Sequence, residues 1–169
     1  MRKEFVIWIG TALAIVLIGA VFFVRGTRVT PSDDGPYNLT PLVTVPFSEL
    51  AHGSQSTVTR RTNYLITSPD QLRELWKMID TAGQTPTVDF AQNDVIAVFA
   101  GTKPTVGYAI AVTEVADEEI RTVTLTLTEP GGSCLLAQSL TAPYQVIVVA
   151  KTTLPLTHAD TTATVSCLR

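Results

Sequence analysis

The chain has 169 residues, 46% of them hydrophobic and 16% charged, with a mean hydropathy of +0.27, which suits one domain plus a membrane segment. Four of its 12 basic residues and one of its 15 acidic residues lie in the first 28, so the remainder carries 8 basic and 14 acidic residues, a net of −6. An acidic body has no electrostatic footprint for nucleic acid, so DNA and RNA binding are excluded.

Phe5 to Val24 is an apolar run without charge, flanked by Arg2 and Lys3 before it and by Arg25 and Arg28 after it. About 20 residues at 1.5 Å each span the roughly 30 Å hydrocarbon core. The run reads either as an uncleaved signal anchor or as a signal peptide cut after Ala20, at the small-residue site Ile18-Gly19-Ala20. Its continuation through Val21-Phe22-Phe23-Val24 favours the anchor. The short amino-terminal tail predicts a cytoplasmic N-terminus and an extracytoplasmic body at the cell membrane, although basic residues on both sides make the charge rule nearly silent. The expected organisation is a transmembrane signal anchor at 1–25, a flexible linker at 26–42 rich in Pro, Gly, Ser and Asp, and a folded domain at 43–169.

Within that domain, Val43–Ala51 and Thr57–Thr67 read as strands around a turn at His52–Ser56. A helix follows. Ser68 is its N-cap, Pro69 its first residue and Gln71 completes a capping box. Leu72, Leu75, Trp76 and Ile79 form one apolar stripe, and Gly83 is expected to end the helix. Val95–Ala100 is apolar on both faces and suits a central strand. It runs into Gly101-Thr102-Lys103-Pro104-Thr105-Val106-Gly107-Tyr108, a loop in which both glycines can take positive φ and Pro104 cannot join a ladder. A strand continues from Tyr108. Ala116–Glu119 reads as an acidic turn. Thr122–Thr128 alternates threonines with Val123, Leu125 and Leu127, as in a half-buried antiparallel strand. Glu129–Ser133 turns the chain, Ala137–Thr141 and Tyr144–Lys151 read as strands, and Ala163–Cys167 as a short last one. The fold class is α+β: a mostly antiparallel sheet or open barrel with one packed helix, preceded by one N-terminal transmembrane helix.

No catalytic constellation stands out. His52 and His158 read as solvated loop residues without metal spacing, and His52-Gly53-Ser54 are neighbours that rarely meet as base and nucleophile. Asp117-Glu118-Glu119 lacks the spaced ligands of a calcium loop. No cofactor, metal site or small-molecule substrate is expected. Cys134 and Cys167 are the only cysteines. In an oxidising compartment they read as one disulfide, with two buried thiols as the alternative. The remaining candidates are loops that could bind a protein partner: Lys103, Pro104, Thr105, Gly107 and Tyr108 in the opening loop, and Pro143-Tyr144 at a strand entrance. An ordinary strand connection remains the alternative for the loop.

Val88-Asp89-Phe90, the strand at Val95–Ala100, the Gly-x-Lys-Pro-Thr-x-Gly-Tyr run and Thr141-Ala142-Pro143-Tyr144 occur in one order that resembles the PrcB C-terminal-like domain, named for a subunit of a bacterial surface protease complex. The resemblance covers roughly Pro46 to Lys151. It implies a non-enzymatic extracytoplasmic domain that assists or stabilises a protease. Some relatives are lipid-anchored; this chain has no cysteine after its apolar run and departs from them there. A weaker similarity is to chagasin-type cysteine-protease inhibitors, carried by Pro104-Thr105-Val106-Gly107-Tyr108 and Pro130-Gly131-Gly132. The chain departs from that pattern at Val106, lacks an Arg-Pro-aromatic segment and has a well-capped helix. An enzyme of unrecognised type is the remaining reading.

Overall fold

The computed structural model describes residues 41–79 and 83–167. The anchor and its cleavage site, and nearly all of the linker, lie outside the described residues. Among the described residues no helix is long and apolar enough to cross a membrane. The strand expected over Val43–Ala51 is two strands, Val43–Thr44 (β1) and Phe47–Gly53 (β2), which join different sheets. Pro46, which has no N–H for a ladder, marks the crossing. Val45 stays buried there and its N–H donates to the Val115 carbonyl at 2.8 Å.

Thr62–Ile66 (β3) is shorter than expected. The residues before it are held instead by loop contacts: Thr57 N–H donates to the Met78 carbonyl at 2.8 Å, and Thr102 N–H to that of Thr59 at 3.0 Å. The helix Pro69–Trp76 (α1) starts as its cap predicts, with the Ser68 hydroxyl accepting from the Gln71 N–H. The Gln71 side chain reaches back one residue further than a capping box requires, to the Thr67 N–H at 2.8 Å. The helix ends at Lys77, not at Gly83, because Lys77 N–H closes a tight turn on the Glu74 carbonyl. Ile79 has already left the helix to bridge Ser56, yet remains buried.

Asn93–Phe99 (β4) is the central strand expected. Ala109–Asp117 (β5) and Arg121–Pro130 (β6) form a hairpin, and Tyr144–Ala150 (β7) lies between β2 and β4. Ala137–Thr141 is not a strand; only Thr141 bridges, to Lys103. The last strand, Leu156–Val165 (β8), is longer than expected and pairs with β6 in parallel. Two open four-stranded sheets result: sheet A, ordered β1-β5-β6-β8, and sheet B, ordered β2-β7-β4-β3. All other pairings are antiparallel.

Register explains the layering. Ile96, Val98, Ile147 and Val149 of sheet B meet Ile110, Val112, Val115, Val123 and Leu125 of sheet A. The alternate residues of sheet B, among them Ile66, Val95, Ala97, Phe99 and Val146, meet Leu72, Leu75 and Ile79 on the other side. The order is therefore sheet A, sheet B, helix. Trp76 packs against the helix-side cluster, as its place on the apolar stripe predicts. The β5–β6 hairpin is locked by Arg121, only 3% exposed, whose Nε and Nη2 donate to the two Asp117 carboxylate oxygens at 2.6 and 2.7 Å. Its Nη1 reaches the Ala150 carbonyl at 2.5 Å, so all three guanidinium nitrogens have a partner.

Neither histidine lies in a loop. His52 is on β2 and is exposed, as expected of a solvated residue; His158 is on β8 and half-buried, which departs from that expectation. His158 faces inward because its register partner is Val123.

Candidate functional site

Both glycines of the 101–108 loop take positive φ, 73° at Gly101 and 94° at Gly107. At Gly101 space is short as well: a Cβ would lie 2.8 Å from the backbone of Arg60 and Arg61. The loop is strapped down between these two points. Lys103 and Thr141 exchange backbone hydrogen bonds of 2.7 and 3.0 Å, and the Thr141 hydroxyl donates to the Thr105 carbonyl at 3.0 Å. The strap holds the main chain and leaves side chains outward. Pro104, Val106 and Gly107 are exposed; Lys103, Thr105 and Tyr108 are half-exposed. The Lys103 ammonium sits 5.2 Å from the centre of the Tyr108 ring, within cation–π reach.

Pro143 and Tyr144 depart from the expectation of an exposed aromatic at a strand entrance. Both are buried, and Tyr144 lies in the helix-side core with its ring 6.1 Å from that of Phe99. They support the strap, the Pro143 carbonyl accepting from the Ala100 N–H at 2.9 Å. The turn after β6 does reach the loop: a Cβ on Gly107 would lie 3.4 Å from Pro130 and from Leu136. This turn is pinned to the end of β8 by the Cys134–Cys167 disulfide, with Cα atoms 5.3 Å apart, and by the Gly131 N–H on the Val165 carbonyl at 2.9 Å.

On the other side of Tyr108 a groove of about 420 Å³ opens between β2, β7 and the start of β5. Sequence reasoning missed it. A bulge between Glu49 and Ala51 lets Glu49 and His52 share one face of β2, which a regular strand would forbid at this spacing. His52 Nδ1 lies 2.6 Å from Glu49 Oε1, and Gln145 Nε2 donates to Glu49 Oε2 at 2.6 Å. Gln145 is itself buried and accepts from the Val112 N–H of sheet A at 2.6 Å. A chain of hydrogen bonds thus runs from the sheet A backbone through Gln145 and Glu49 to an exposed imidazole. The Gln145 bond, reinforced by His52, holds the Glu49 carboxyl below its ordinary range against a smaller opposing effect of burial. The arrangement orients His52. Among the described residues no three His, Cys, Asp or Glu side chains gather where they could hold a metal ion.

The strand, the loop, the strap and Gln145 all fall in one segment. Residues 95–150 match the family described as PrcB C-terminal. The resemblance expected from the motifs is thereby found over about half of the span from Pro46 to Lys151, and Val88-Asp89-Phe90 falls outside it. The PrcB-like segment takes in most of β4 and all of β5 to β7, and so strands of both sheets, while β1, β2, β3, α1 and β8 lie outside the matched residues. No curated protein and no solved structure matches the chain.

Proposed function

We propose that this chain is a non-enzymatic binding domain, carried by an N-terminal membrane anchor on the extracytoplasmic side, that serves as accessory or stabilising partner of a protease or another envelope protein. The observation that carries this reading is the PrcB C-terminal match over residues 95–150, which contains the strapped loop. A main chain held at Lys103 and Thr105, with side chains turned outward, loses little entropy when a partner docks. Tyr108 supplies the aromatic surface that such contacts favour, and Lys103 a charge suited to their polar rim. The anchor and its orientation rest on the apolar run Phe5–Val24.

A loop-presenting protease inhibitor is the second reading. It is favoured by one observation: the 101–108 loop and the Pro130 turn, the two segments that carry the chagasin-like similarity, come together at Gly107. One experiment separates the two. A soluble form beginning at Tyr37 is cross-linked in envelope extract of the source organism, and the captured fraction is assayed for proteolysis. An active protease supports the accessory role and a captured but silenced one the inhibitor. Lys103→Ala and Tyr108→Ala should each weaken capture with thermal unfolding nearly unchanged, since the cation–π contact they share is worth only about 0.5–1 kcal/mol at an exposed site. Large stability losses in both would show that the loop is structural. Capture of non-proteases alone would remove the protease from the proposal.

A further inference from the structure

The segment after β6 bares more apolar surface than the strapped loop beside it. Leu135 is fully exposed and Leu140 is 67% exposed, the two highest values for large hydrophobic side chains among the described residues. Both lie inside the matched segment. We propose that these two leucines anchor the contact surface, seating in an apolar cleft of a protein partner whose rim offers a carboxylate to Lys103. The inference deepens the reading above and rests on it, since it names the chemistry of the partner that the strapped loop would meet.

Residues 131–140 belong to no strand, yet their main chain is fixed at both ends. At one end stand the Cys134–Cys167 disulfide and the Cys134 N–H on the Gly131 carbonyl at 3.0 Å. At the other, the Gln55 side-chain amide donates to the Leu140 carbonyl at 3.2 Å, next to the Thr141 strap. Leu136 is the inward peg, its Cδ1 3.4 Å from the place a Cβ on Gly107 would take. Leu135 beside it stands clear of the domain. Each exposed leucine thus adjoins a fixed point, so burying it against a partner gains apolar contact at little cost in order.

Charge narrows the occupant. Beyond its first 28 residues the chain carries 8 basic and 14 acidic residues. The segments that meet at this pole, 101–109, 130–142 and 164–167, hold one charged residue, Lys103. Its ammonium lies near the Tyr108 ring, and no carboxylate of the described residues pairs with it. An uncharged apolar patch with one cation at its edge is complemented by an apolar centre with an acid at the rim.

Position and shape decide between a protein, a bilayer and a second copy. The chain enters the domain at β1, which pairs with β5 at Ala116 and Asp117. The leucines lie beyond the other end of β5, past Ala109, about 27 Å along that strand. A tether through the residues before β1 leaves this pole at the far end from a bilayer. A second copy would set one protruding tip against another, and Lys103 against its own like charge. A concave protein site meets neither objection.

The test places p-benzoylphenylalanine, an apolar photo-cross-linker, at position 135, 140 or 108 of the full chain in the envelope of the source organism. Position 120, exposed in the turn between β5 and β6, is the control. One and the same protein should be attached at 135, 140 and 108 and absent at 120. With that protein purified, Leu135→Ala and Leu140→Ala should each raise Kd about ten-fold. Thermal unfolding should not move, because neither side chain is packed. Lys103→Glu should raise Kd at low salt, with the effect shrinking toward roughly 1 M. Protein attached at 108 but not at 135 or 140 would overturn the proposal and leave the reading above intact, as would a Kd unmoved by both alanines. Lipid or a second copy attached at 135 would overturn it too, by naming a different occupant. No protein at any of the three positions would remove both this proposal and the reading on which it rests.

Discussion

Removing the disulfide by Cys134→Ala with Cys167→Ala tests how much of the stability lies in the unfolded chain. The bond spans a sequence separation of 33 residues. In the chain-entropy description a loop of that length restricts the unfolded ensemble by about 3.7 kcal/mol. On the native side little should be lost. Cys134 is half-exposed and Cys167 exposed, so alanine opens no cavity, and the Gly131–Val165 backbone bond can persist. For a domain of this size each kcal/mol moves Tm by about 3–4 °C, giving a fall of roughly 11–15 °C. Urea unfolding followed by circular dichroism should show a lower midpoint and a slightly larger m, because the unlinked unfolded chain exposes more surface. Reductant on the native chain should reproduce both changes. A loss below about 1 kcal/mol would refute the reasoning: either the two ends already stay together in the unfolded chain, or the native bond opposes the fold as much as it restricts the unfolded state.

Asp117→Ala strips the partner from a guanidinium that is almost fully buried and should cost about 3–5 kcal/mol by denaturant titration, whereas an exposed pair such as Lys77–Glu74 should cost under about 1 kcal/mol. Burial, and secondarily Arg61, hold His158 below its ordinary pKa of 6.5. Its contribution is therefore present above 6.5 and lost as the pH falls through the lower folded value. Hydrogen exchange in β8 should rise over that window, and His158→Gln should flatten the dependence. Gly101→Ala meets both a positive φ and backbone at 2.8 Å, so it should lower stability by at least about 1–3 kcal/mol in thermal unfolding, with loss of the Thr102–Thr59 bond seen as faster exchange at Thr102.

What could be read from the sequence was what repeats locally. The β6 alternation puts Val123 and Leu125 inside at once, and Ser68-Pro69 fixes the start of α1. The split of β1 from β2 left no mark in the apolar pattern, because Val45 and Phe47 are both apolar and only Pro46 betrays the change of sheet. β8 was under-read for a different reason. On the face it shares with Val123 and Leu125 stand Leu156, His158, Asp160, Thr162 and Thr164; only Leu156 packs on the core and the last three are exposed, so the strand shows almost no apolar periodicity. Ala137–Thr141 erred in the other direction: extended residues without a partner strand.

The candidate surface was half legible. Glycine and proline mark the 101–108 loop, and the cysteine count marks the bond beside it. The groove was not legible, because Glu49 and Gln145 are 96 residues apart and meet only through the β2–β7 pairing and a bulge. Pro143 and Tyr144 look like a surface aromatic in sequence. A Cβ on Gly53 would lie 2.7 Å from the Tyr144 ring, so it is the close approach of β2 that covers them.

The parallel pairing of β8 with β6 has a consequence for the order in which the domain can assemble. The β3–β4 and β5–β6 pairs can form as soon as they emerge from the translating ribosome. Each then waits: β2 and β4 for β7, and β6 for β8. Until its last ten-residue strand has emerged, β6 has a naked flank of its own, and the second cysteine is not yet available to its partner. A chain stalled before Leu156 is thus an unfinished template with a sticky side, and completion of the domain coincides with delivery of its final segment.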